Sequence, residues 1–147
     1  MDADARIAYP PVTAYLLYED VAGALDWLTR VFGFRERLRH ETEDGTVDHA
    51  EMLIGDDGLV MLGDPGAGYR NPKHLGAATV YVHVYVDDVD AHHDRARAAG
   101  ARIVRPLADE AYGDRRYDVE DPEGHRWSFA QRTRDVAPTD WGAVTPS

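Results

Sequence analysis

Histidine, glutamate, tyrosine and serine recur at alternate positions in four segments that are rich in strand-forming residues. Because side chains of a β-strand alternate between its two faces, every second residue of such a segment shares a face. The shared-face sets are Thr13, Tyr15 and Leu17; His49, Glu51 and Leu53; Tyr81, His83 and Tyr85; and Arg126, Ser128 and Ala130. Histidine and glutamate can act as general bases or ligate a metal, and tyrosine rings with a carboxylate can bind a cation.

Each of these segments has a predicted place among strands and helices. The expected strands cover residues 12–18, 34–39, 47–54, 59–62, 79–86, 101–106 and the two arms of a hairpin at 112–131. The acidic pairs Glu19–Asp20 and Asp87–Asp88 should cap two helices that end at Gly33 and Gly100. Within the hairpin, the residues Asp-Pro-Glu-Gly at 121–124 are typical of a tight turn.

The two halves of the chain repeat this order of elements. LYEDVAGALDWLTRVFGF, which begins at Leu17, and VYVDDVDAHHDRARAAGA, which begins at Val84, share a strand, an acidic cap, a valine, a helix and a glycine. Neither half can bury its sheet face alone, so the halves should pair. We therefore predict an α+β fold with two paired βαβββ modules, forming a curved, half-open sheet of about eight strands around a cleft.

The same elements predict a single domain over residues 1–147. Its expected parts are modules at about 12–63 and 79–131, a linker or flap at 64–78, a C-terminal tail at 132–147 and a mobile lead-in at 1–11. Trp141 should anchor the tail, because it is the one large aromatic residue in a polar, proline-containing segment.

Composition excludes several classes of partner and site. The chain has no cysteine, which excludes disulfides and thiolate zinc sites. Its net charge of -11 would repel a phosphate backbone, so we expect no nucleic-acid partner. No apolar run approaches the ~18 residues of a membrane span, and residues 1–4 do not resemble a signal peptide. We therefore expect a cytoplasmic protein without a membrane partner.

Four stretches together resemble the vicinal-oxygen-chelate superfamily, which contains glyoxalase I, bleomycin-resistance proteins, extradiol dioxygenases and fosfomycin-resistance enzymes. The stretches are 20–33, HVYVDDVDA at 83–91, Ala99-Gly100-Ala101, and YGDRRYDVEDPEGHRW at 112–127. The resemblance covers residues 12–131, and the last motif is most similar to PhnB-type and uncharacterised glyoxalase-like proteins. It implies that the shared faces line one cleft, where tyrosines, histidines and a carboxylate converge.

The resemblance also implies where metal-dependent members would hold an ion. Carried over one residue at a time, the four positions fall on Thr13, Glu51, Tyr81 and Ser128. Only Glu51 is a strong ligand, because hydroxyl groups bind divalent metals poorly beside histidine and carboxylate. We therefore predict no metal and no cofactor. A displaced set of His49, Glu51 and His83 remains as an alternative.

The main functional prediction is metal-independent binding of a small molecule, of the sequestration or resistance type, in an aromatic and acidic cleft. The expected ligand is cationic and aromatic, and its expected contacts are Tyr15, His49, Glu51, Tyr81, His83, Tyr85, Arg126 and Ser128. The alternatives are a glyoxalase- or dioxygenase-type enzyme with a displaced metal site, or a metal-free isomerase or cyclase with Glu51 or His83 as base. We expect a homodimer, because an open sheet edge and a cleft mouth need a cover.

Several charged and aromatic residues also have plain structural interpretations. Glu51 would pair with Arg115 or Arg126, and Asp114 with Arg115 or Arg116, which leaves the other arginine for an anionic group. His92 and His93 would share a solvated helix face with Asp88 or Asp94. Of the two tryptophans outside the tail, Trp127 is expected to pack against a helix, and Trp27 is expected to reach a partner subunit.

Overall fold

The structure, a computed structural model, describes residues 8–147. Residues 1–7, which include the stretch compared with a signal peptide and most of the predicted lead-in, lie outside that range. The chain divides into two compact units, one that ends at Tyr69 and one that begins at Arg70. Each unit contains one βαβββ module, and hydrogen bonds join the strands as two sheets of four. The predicted α+β fold with two such modules is confirmed.

The first unit follows the predicted order of strand, helix and three strands. Its elements are β1 (Ala14–Leu17), α1 (Val21–Trp27), a π-helical continuation (Leu28–Phe32), β2 (Arg35–Glu41), β3 (Val47–Ile54) and β4 (Gly58–Gly63). The strands lie in the order β1-β4-β3-β2. Strand β1 runs parallel to β4, and the other pairs are antiparallel. This order leaves β1 at one edge of its sheet.

The helical segment formed by α1 and its π-helical continuation begins and ends where the sequence predicts. The side chain of Asp20 accepts a hydrogen bond from the backbone nitrogen of Gly23 at 3.0 Å, which satisfies one of the free donors of the first turn. Gly33 ends the helix in the left-handed region with φ 77, which glycine adopts without steric cost. The apolar residues Val21, Leu25, Leu28 and Phe32 are buried. The switch to π-helical hydrogen bonds at Leu28 has no counterpart in the prediction.

The second unit repeats the pattern and adds two short helices. Its elements are α2 (Pro72–Leu75), β5 (Tyr81–Tyr85), α3 (Val89–Ala98), β6 (Arg102–Asp109), β7 (Asp114–Glu120), β8 (Arg126–Arg132) and a 3-10 turn (Pro138–Trp141). The strand order is β5-β8-β7-β6, with β5 parallel to β8. The predicted linker therefore contains a helical turn, and β6 extends to Asp109 rather than ending at residue 106. No helix among residues 8–147 has the length and apolar character needed to span a bilayer.

Helix α3 packs through histidine rather than exposing it. His92 Nδ1 lies 2.6 Å from the Tyr117 hydroxyl, and its ring centroid lies 4.0 Å from that of Phe129. His93 makes an edge-to-face contact with Tyr117 at 5.0 Å. The prediction of a solvated face for both histidines is therefore wrong, although His93 does lie beside Asp94, with Nδ1 at 3.5 Å from its carboxylate. The helix presents small apolar residues to the sheet, so the imidazole rings supply the missing contact area.

The final hairpin forms the core of the second unit. Strands β7 and β8 pair Tyr117 with Phe129 and Val119 with Trp127, and all four side chains are fully buried. The turn between the strands closes through a hydrogen bond from the Gly124 nitrogen to the Asp121 carbonyl at 2.9 Å. Gly124 has φ 91, so the predicted role of a glycine in this turn is confirmed.

Candidate functional site

The first unit carries a chain of polar side chains that leads from an exposed tyrosine to a buried glutamate. The Tyr15 hydroxyl lies 2.7 Å from His49 Nδ1, and His49 Nε2 lies 3.0 Å from Glu51 Oε2. The other carboxylate oxygen of Glu51 accepts a hydrogen bond from Arg37 at 2.6 Å. The sequence-predicted residues Tyr15, His49 and Glu51 are therefore brought together within this unit.

The carboxylate of Glu51 is surrounded by donors that stabilise its ionised form. Besides Arg37 and His49, the Tyr9 hydroxyl donates a hydrogen bond to it at 3.2 Å. Burial alone would raise the pKa of Glu51, but hydrogen bonds from Arg37, His49 and Tyr9 outweigh burial and lower that pKa. A carboxylate held in this way is a weak base at neutral pH. The geometry therefore supports the structural interpretation of Glu51 over a role as catalytic base.

The partner of Glu51 differs from the one that the sequence suggests. The prediction named Arg115 or Arg126, whereas Arg37 forms the ion pair. Arg115 pairs instead with Asp90 at 3.0 Å and with Asp109 at 3.4 Å.

The described end of the predicted lead-in also contributes to this cluster. The carbonyl of Ala8 accepts a hydrogen bond from Arg37 at 3.0 Å, and the ring of Tyr9 lies 4.9 Å from the Arg37 guanidinium carbon. These residues are therefore held against the first unit, in contrast to the predicted mobile segment.

Gly63 creates the space in which Tyr15 reaches His49. A Cβ at position 63 would lie 2.5 Å from Tyr15 Cε1 and 2.8 Å from its hydroxyl oxygen. We therefore expect Gly63→Ala to displace the ring and break the Tyr15–His49 hydrogen bond, at a cost of about 0.5–1.5 kcal/mol in stability. Nuclear magnetic resonance of the His49 ring and urea denaturation measure the two effects. Tyr15→Phe is the control, because it removes only the hydroxyl; an unchanged His49 resonance in Gly63→Ala would contradict the prediction.

The second unit contains an open cavity of about 620 Å³. That volume lies within the range of roughly 300–1,000 Å³ that small-molecule sites occupy. The lining consists of Tyr81, Tyr112 and Trp141, of Arg116 and Arg132, and of residues 135–138. Strands β5, β7 and β8 supply three of these side chains, and the C-terminal tail supplies one wall. Of the predicted contact residues, Tyr81 lies in this lining.

Arg116 is the buried cation of the cavity. Its side chain is 9% exposed and donates to both carboxylate oxygens of Asp118, at 2.9 and 3.0 Å. It also donates to the Tyr112 hydroxyl at 3.1 Å, and its guanidinium carbon lies 5.6 Å from the centre of the Tyr81 ring. The Nε of Arg116 is buried and has no hydrogen-bond partner among residues 8–147. Asp118 therefore fixes the guanidinium, whose central carbon lies over the Tyr81 ring.

Arg132 holds the tail against the end of the hairpin. It donates to the main-chain carbonyls of Tyr112 and, at 3.4 Å, of Val136. The Trp141 ring packs edge-to-face on Tyr112, with centroids 5.8 Å apart. The tail therefore contacts the hairpin through a cation and an aromatic pair, as the predicted anchoring role of Trp141 requires.

Asp114 has a different arginine partner from the predicted one. Its carboxylate lies 3.4 Å from Arg132 and accepts a hydrogen bond from the Tyr85 hydroxyl at 2.8 Å. The prediction of Arg115 or Arg116 as the partner is wrong. Strand alternation excludes Arg115, because Asp114 and Arg115 are adjacent residues of β7 and point to opposite faces. Arg116 lies on the same face as Asp114 but pairs with Asp118.

His83 and Ser128 form a second polar group beside the cavity. His83 Nδ1 lies 3.1 Å from Ser128 Oγ, and its Nε2 lies 3.9 Å from Asp114. Burial lowers the pKa of His83, and the positive charge of Arg116 lowers it further, against the opposing effect of nearby carboxylates. His83 is therefore neutral at neutral pH. Tyr85 joins this group through Asp114, so four predicted contact residues of the second unit lie on two adjacent strands: Tyr81, His83, Tyr85 and Ser128.

The remaining predicted contact, Arg126, lies apart from this group. It is exposed at the start of β8 and lines a smaller hollow of about 230 Å³ together with Lys73 and Arg102. The structure thus sorts the predicted site residues into a polar cluster in the first unit, a cavity with a neighbouring polar group in the second unit, and Arg126.

The four positions that the resemblance assigns to a metal do not fit a divalent cation. They are Thr13, Glu51, Tyr81 and Ser128. A cation at Glu51 would compete with the Arg37 guanidinium for the same carboxylate, and the Ser128 hydroxyl is bonded to His83. The displaced set with His49 meets the same obstacle at Glu51. Across the described part of the chain, no three histidine, aspartate or glutamate side chains are grouped to hold a metal.

Comparison with known proteins agrees with the fold and spans both units. A family model described as the Glyoxalase/Bleomycin resistance protein/Dioxygenase superfamily matches residues 10–129. An uncharacterised protein of Mycobacterium bovis is 38% identical over 132 residues, which cover 86% of this chain and 86% of that protein. An uncharacterised protein of Mycobacterium tuberculosis has the same identity and is covered over 77% of its length.

Solved structures extend the similarity to three dimensions. The crystal structure of TioX from Micromonospora sp. ML1 is 44% identical, has a TM-score of 0.69, and aligns with 82% of this chain and 96% of its own. The fosfomycin resistance protein FosX from Listeria monocytogenes has a TM-score of 0.62 over 92% of this chain and 99% of its own, at 12% identity. At that identity the likeness supports the shared fold alone.

Proposed function

The chain belongs to the glyoxalase/bleomycin resistance protein/dioxygenase superfamily, and on that premise we propose that it binds a small molecule without transforming it. The observation that carries the proposal is the second-unit cavity of about 620 Å³, which three aromatic side chains line. The carboxylates of Asp114 and Asp118 beside it are engaged by arginines. Binding through such a lining requires no metal. A sequestration or resistance role is supported by the bleomycin resistance proteins in the superfamily description.

Exposed aromatic surface favours a flat ligand. Tyr81 is 53% exposed and Trp141 is 45% exposed, although both line a concave surface. A planar ring between them would bury these faces, and each aromatic pair contributes about 0.5–1.5 kcal/mol beyond the area that it removes from water. His83 and Tyr85 lie on β5 with Tyr81 and are proposed to contact polar parts of the same ligand. Ser128 is fully buried, so the predicted direct contact is replaced by its bond to His83.

The charge of the ligand follows less directly from the lining. The sequence predicts a ligand that is cationic as well as aromatic, because the chain has a net charge of -11. The cavity supports the aromatic part of that prediction. Its guanidinium groups, from Arg116 and Arg132, favour acceptor atoms on the ligand.

We expect Trp141→Ala to weaken binding of planar bicyclic aromatic compounds about tenfold, since one wall of the cavity loses its ring. Thermal shift identifies the ligands, because a compound at 100 times its Kd stabilises by about 2.7 kcal/mol. Calorimetry then measures affinity, and mass spectrometry checks that the compound is recovered unchanged. Leu75→Ala is the matched control, because it removes an exposed apolar side chain of the same unit outside the cavity. Equal affinity in both variants would place binding elsewhere.

Metal-free proton transfer by His83 is the second candidate function. Its imidazole is neutral because burial and Arg116 lower its pKa, and its Nδ1 contacts Ser128, so it can accept a proton. Recovery of a changed compound would favour this candidate over simple binding. His83→Gln would then abolish conversion and leave affinity within about threefold.

We also propose that the two units form one family domain and that the chain forms a homodimer. Strands β1 and β5 lie at sheet edges and carry exposed Tyr15, Leu17 and Tyr85. Exposed apolar residues on an edge strand are typical of surfaces that a second chain covers. Light scattering at micromolar concentration should give twice the 16.4 kDa mass of the chain. A monomer would contradict the proposal.

A further inference from the structure

Two arginine side chains line the second-unit cavity, although the protein as a whole is acidic. The chain has a net charge of -11, yet the lining carries two guanidinium groups and one carboxylate, that of Asp135. The field of the whole chain repels anions, so two arginines in one cavity wall suggest a local purpose. Arg116 and Arg132 differ in how far that positive charge is neutralised.

Asp118 neutralises the positive charge of Arg116, whereas the positive charge of Arg132 is only partly neutralised. Arg116 makes two short contacts with Asp118, whereas Arg132 lies 3.4 Å from Asp114 and 3.9 Å from Asp135. The Asp114 carboxylate is shared with the Tyr85 hydroxyl, and the Asp135 side chain is fully exposed. Asp135 can therefore turn into solvent at little cost, because its loose contact contributes little.

We propose that this cavity selects planar aromatic molecules that carry one carboxylate group. The ring lies among Tyr81, Tyr112 and Trp141, and the carboxylate binds Arg132 in the place that Asp135 now occupies. Arginine suits this role because its planar fork can donate two parallel hydrogen bonds to one carboxylate. The inference rests on the proposed binding function and adds the chemical class of the ligand.

Arg132 also has a structural role, and the experiment must separate that role from carboxylate binding. Its bonds to the carbonyls of Tyr112 and Val136 tie the tail to the hairpin and would do so without any ligand. A purely structural arginine predicts equal affinity for charged and neutral ligands of the same shape. The carboxylate proposal predicts a preference that depends on the charges at positions 132 and 135.

Calorimetry of the full-length protein at pH 7 with three probes separates these cases. The probes are 2-naphthoate, neutral 2-naphthylmethanol and cationic 2-naphthylmethylammonium, which share one ring system. We expect 2-naphthoate to bind about tenfold more tightly than the alcohol, since a charge-assisted pair replaces a neutral one. This preference should fall as salt is raised, because Arg132 is partly exposed.

Two variants with opposite expected effects keep the test independent of folding. Arg132→Gln should weaken 2-naphthoate about tenfold more than it weakens the alcohol, because loss of the bonds to the tail affects both probes and loss of the charge affects only one, whereas Asp135→Asn should strengthen 2-naphthoate about twofold. A merely structural role at these positions does not increase affinity for one probe alone. Arg105→Gln is the matched control, because Arg105 and Arg132 are each 45% exposed and Arg105 pairs with Glu110 outside the lining.

The outcomes distinguish this inference from the function on which it rests. Equal binding of 2-naphthoate and the alcohol to the unaltered protein would overturn carboxylate selection and leave small-molecule binding standing. Tightest binding of the ammonium probe would overturn the inference in favour of a cation site. Failure of all three probes would overturn both. A preference for 2-naphthoate that Arg105→Gln keeps and Arg132→Gln loses would support the inference.

Discussion

Replacing Asp121 with alanine is expected to lower the free energy of unfolding by about 3 kcal/mol. The carboxylate of Asp121 accepts hydrogen bonds from the backbone nitrogens of Glu123 and His125, at 3.0 and 3.1 Å, and from the indole nitrogen of Trp127 at 3.1 Å. Asp121 and Trp127 are both buried. Alanine would leave the indole N–H without a partner, which costs about 1–3 kcal/mol, and would remove two bonds within the turn. Urea denaturation followed by circular dichroism measures the loss.

A double-mutant cycle isolates the indole contribution. Trp127→Phe keeps most of the buried ring and removes the donor, so Asp121→Ala should cost about 1–2 kcal/mol less in that background. The backbone contribution of the turn is common to both backgrounds and cancels. An equal cost of Asp121→Ala with and without the indole nitrogen would show that the tryptophan bond is not what makes this aspartate important.

The hairpin shows what sequence reasoning predicts well. Alternating residues define both strands, and the turn residues at 121–124 fix where the chain reverses, so the register follows directly. The bond from Trp127 to Asp121 does not follow in this way. It joins residues at the base of the turn, and its formation depends on how the indole ring is oriented by stacking on Phe129, with an interplanar angle of 10°.

The packing of helix α3 had a signal in the sequence that the prediction did not use. Val89, His92 and Ala96 recur at spacings of three and four, which places them on one helical face. Val89 and Ala96 are buried, and His92 contacts Tyr117 and Phe129. Because histidine is polar, the prediction placed His92 on a solvated face. Its ring is nevertheless large enough to complete an apolar stripe that otherwise contains small residues.

One residue of the cavity lining, Arg132, was missed because the predicted hairpin stops at residue 131. Extending β8 to Arg132 places that arginine on the same face as Arg126, Ser128 and Ala130. Tyr112 stands at the start of the predicted hairpin stretch and Trp141 in the predicted tail, but neither position indicates a cavity. Their convergence depends on the path of residues 133–141, which no periodicity specifies.

Arg37 illustrates a different limit of sequence reasoning. The β2–β3 register pairs Glu36 with Met52 and Leu38 with Glu51, so Arg37 is an extra residue in β2. Such a bulge re-aims one side chain relative to strict alternation, and here it brings Arg37 onto Glu51. Sequence alternation fixes the face of Glu51 but cannot reveal a bulge on the neighbouring strand. The sequence therefore predicts that Glu51 pairs with an arginine, but it does not predict that this arginine is Arg37.

Replacing Glu51 with alanine is expected to destabilise the first unit by about 3–5 kcal/mol. The carboxylate is 4% exposed and Arg37 is mostly buried, so alanine would leave a guanidinium in a poorly solvated position without its counter-charge. Glu36→Ala is the matched control. Glu36 pairs with Arg39 at 2.6 Å, the same distance as in the Arg37–Glu51 pair, but its side chain is 34% exposed. An exposed pair contributes about 0–1 kcal/mol. Equal losses in the two variants, measured by urea denaturation at pH 7, would contradict the role assigned to burial.

The contribution of Glu51 should disappear in acid. Hydrogen bonds from Arg37, His49 and Tyr9 hold the pKa of Glu51 below its ordinary value in the folded chain, despite the opposing effect of burial. A group with a lowered folded-state pKa stabilises the fold above its unfolded pKa, about 4.3 for glutamate, and loses that contribution as pH falls through the folded value. The stability gap between the unaltered protein and Glu51→Gln should therefore be constant from pH 7 to about pH 5 and narrow below about pH 4. A gap that widened in acid would mean that the carboxyl group binds its proton more tightly when folded, which is incompatible with an arginine at 2.6 Å.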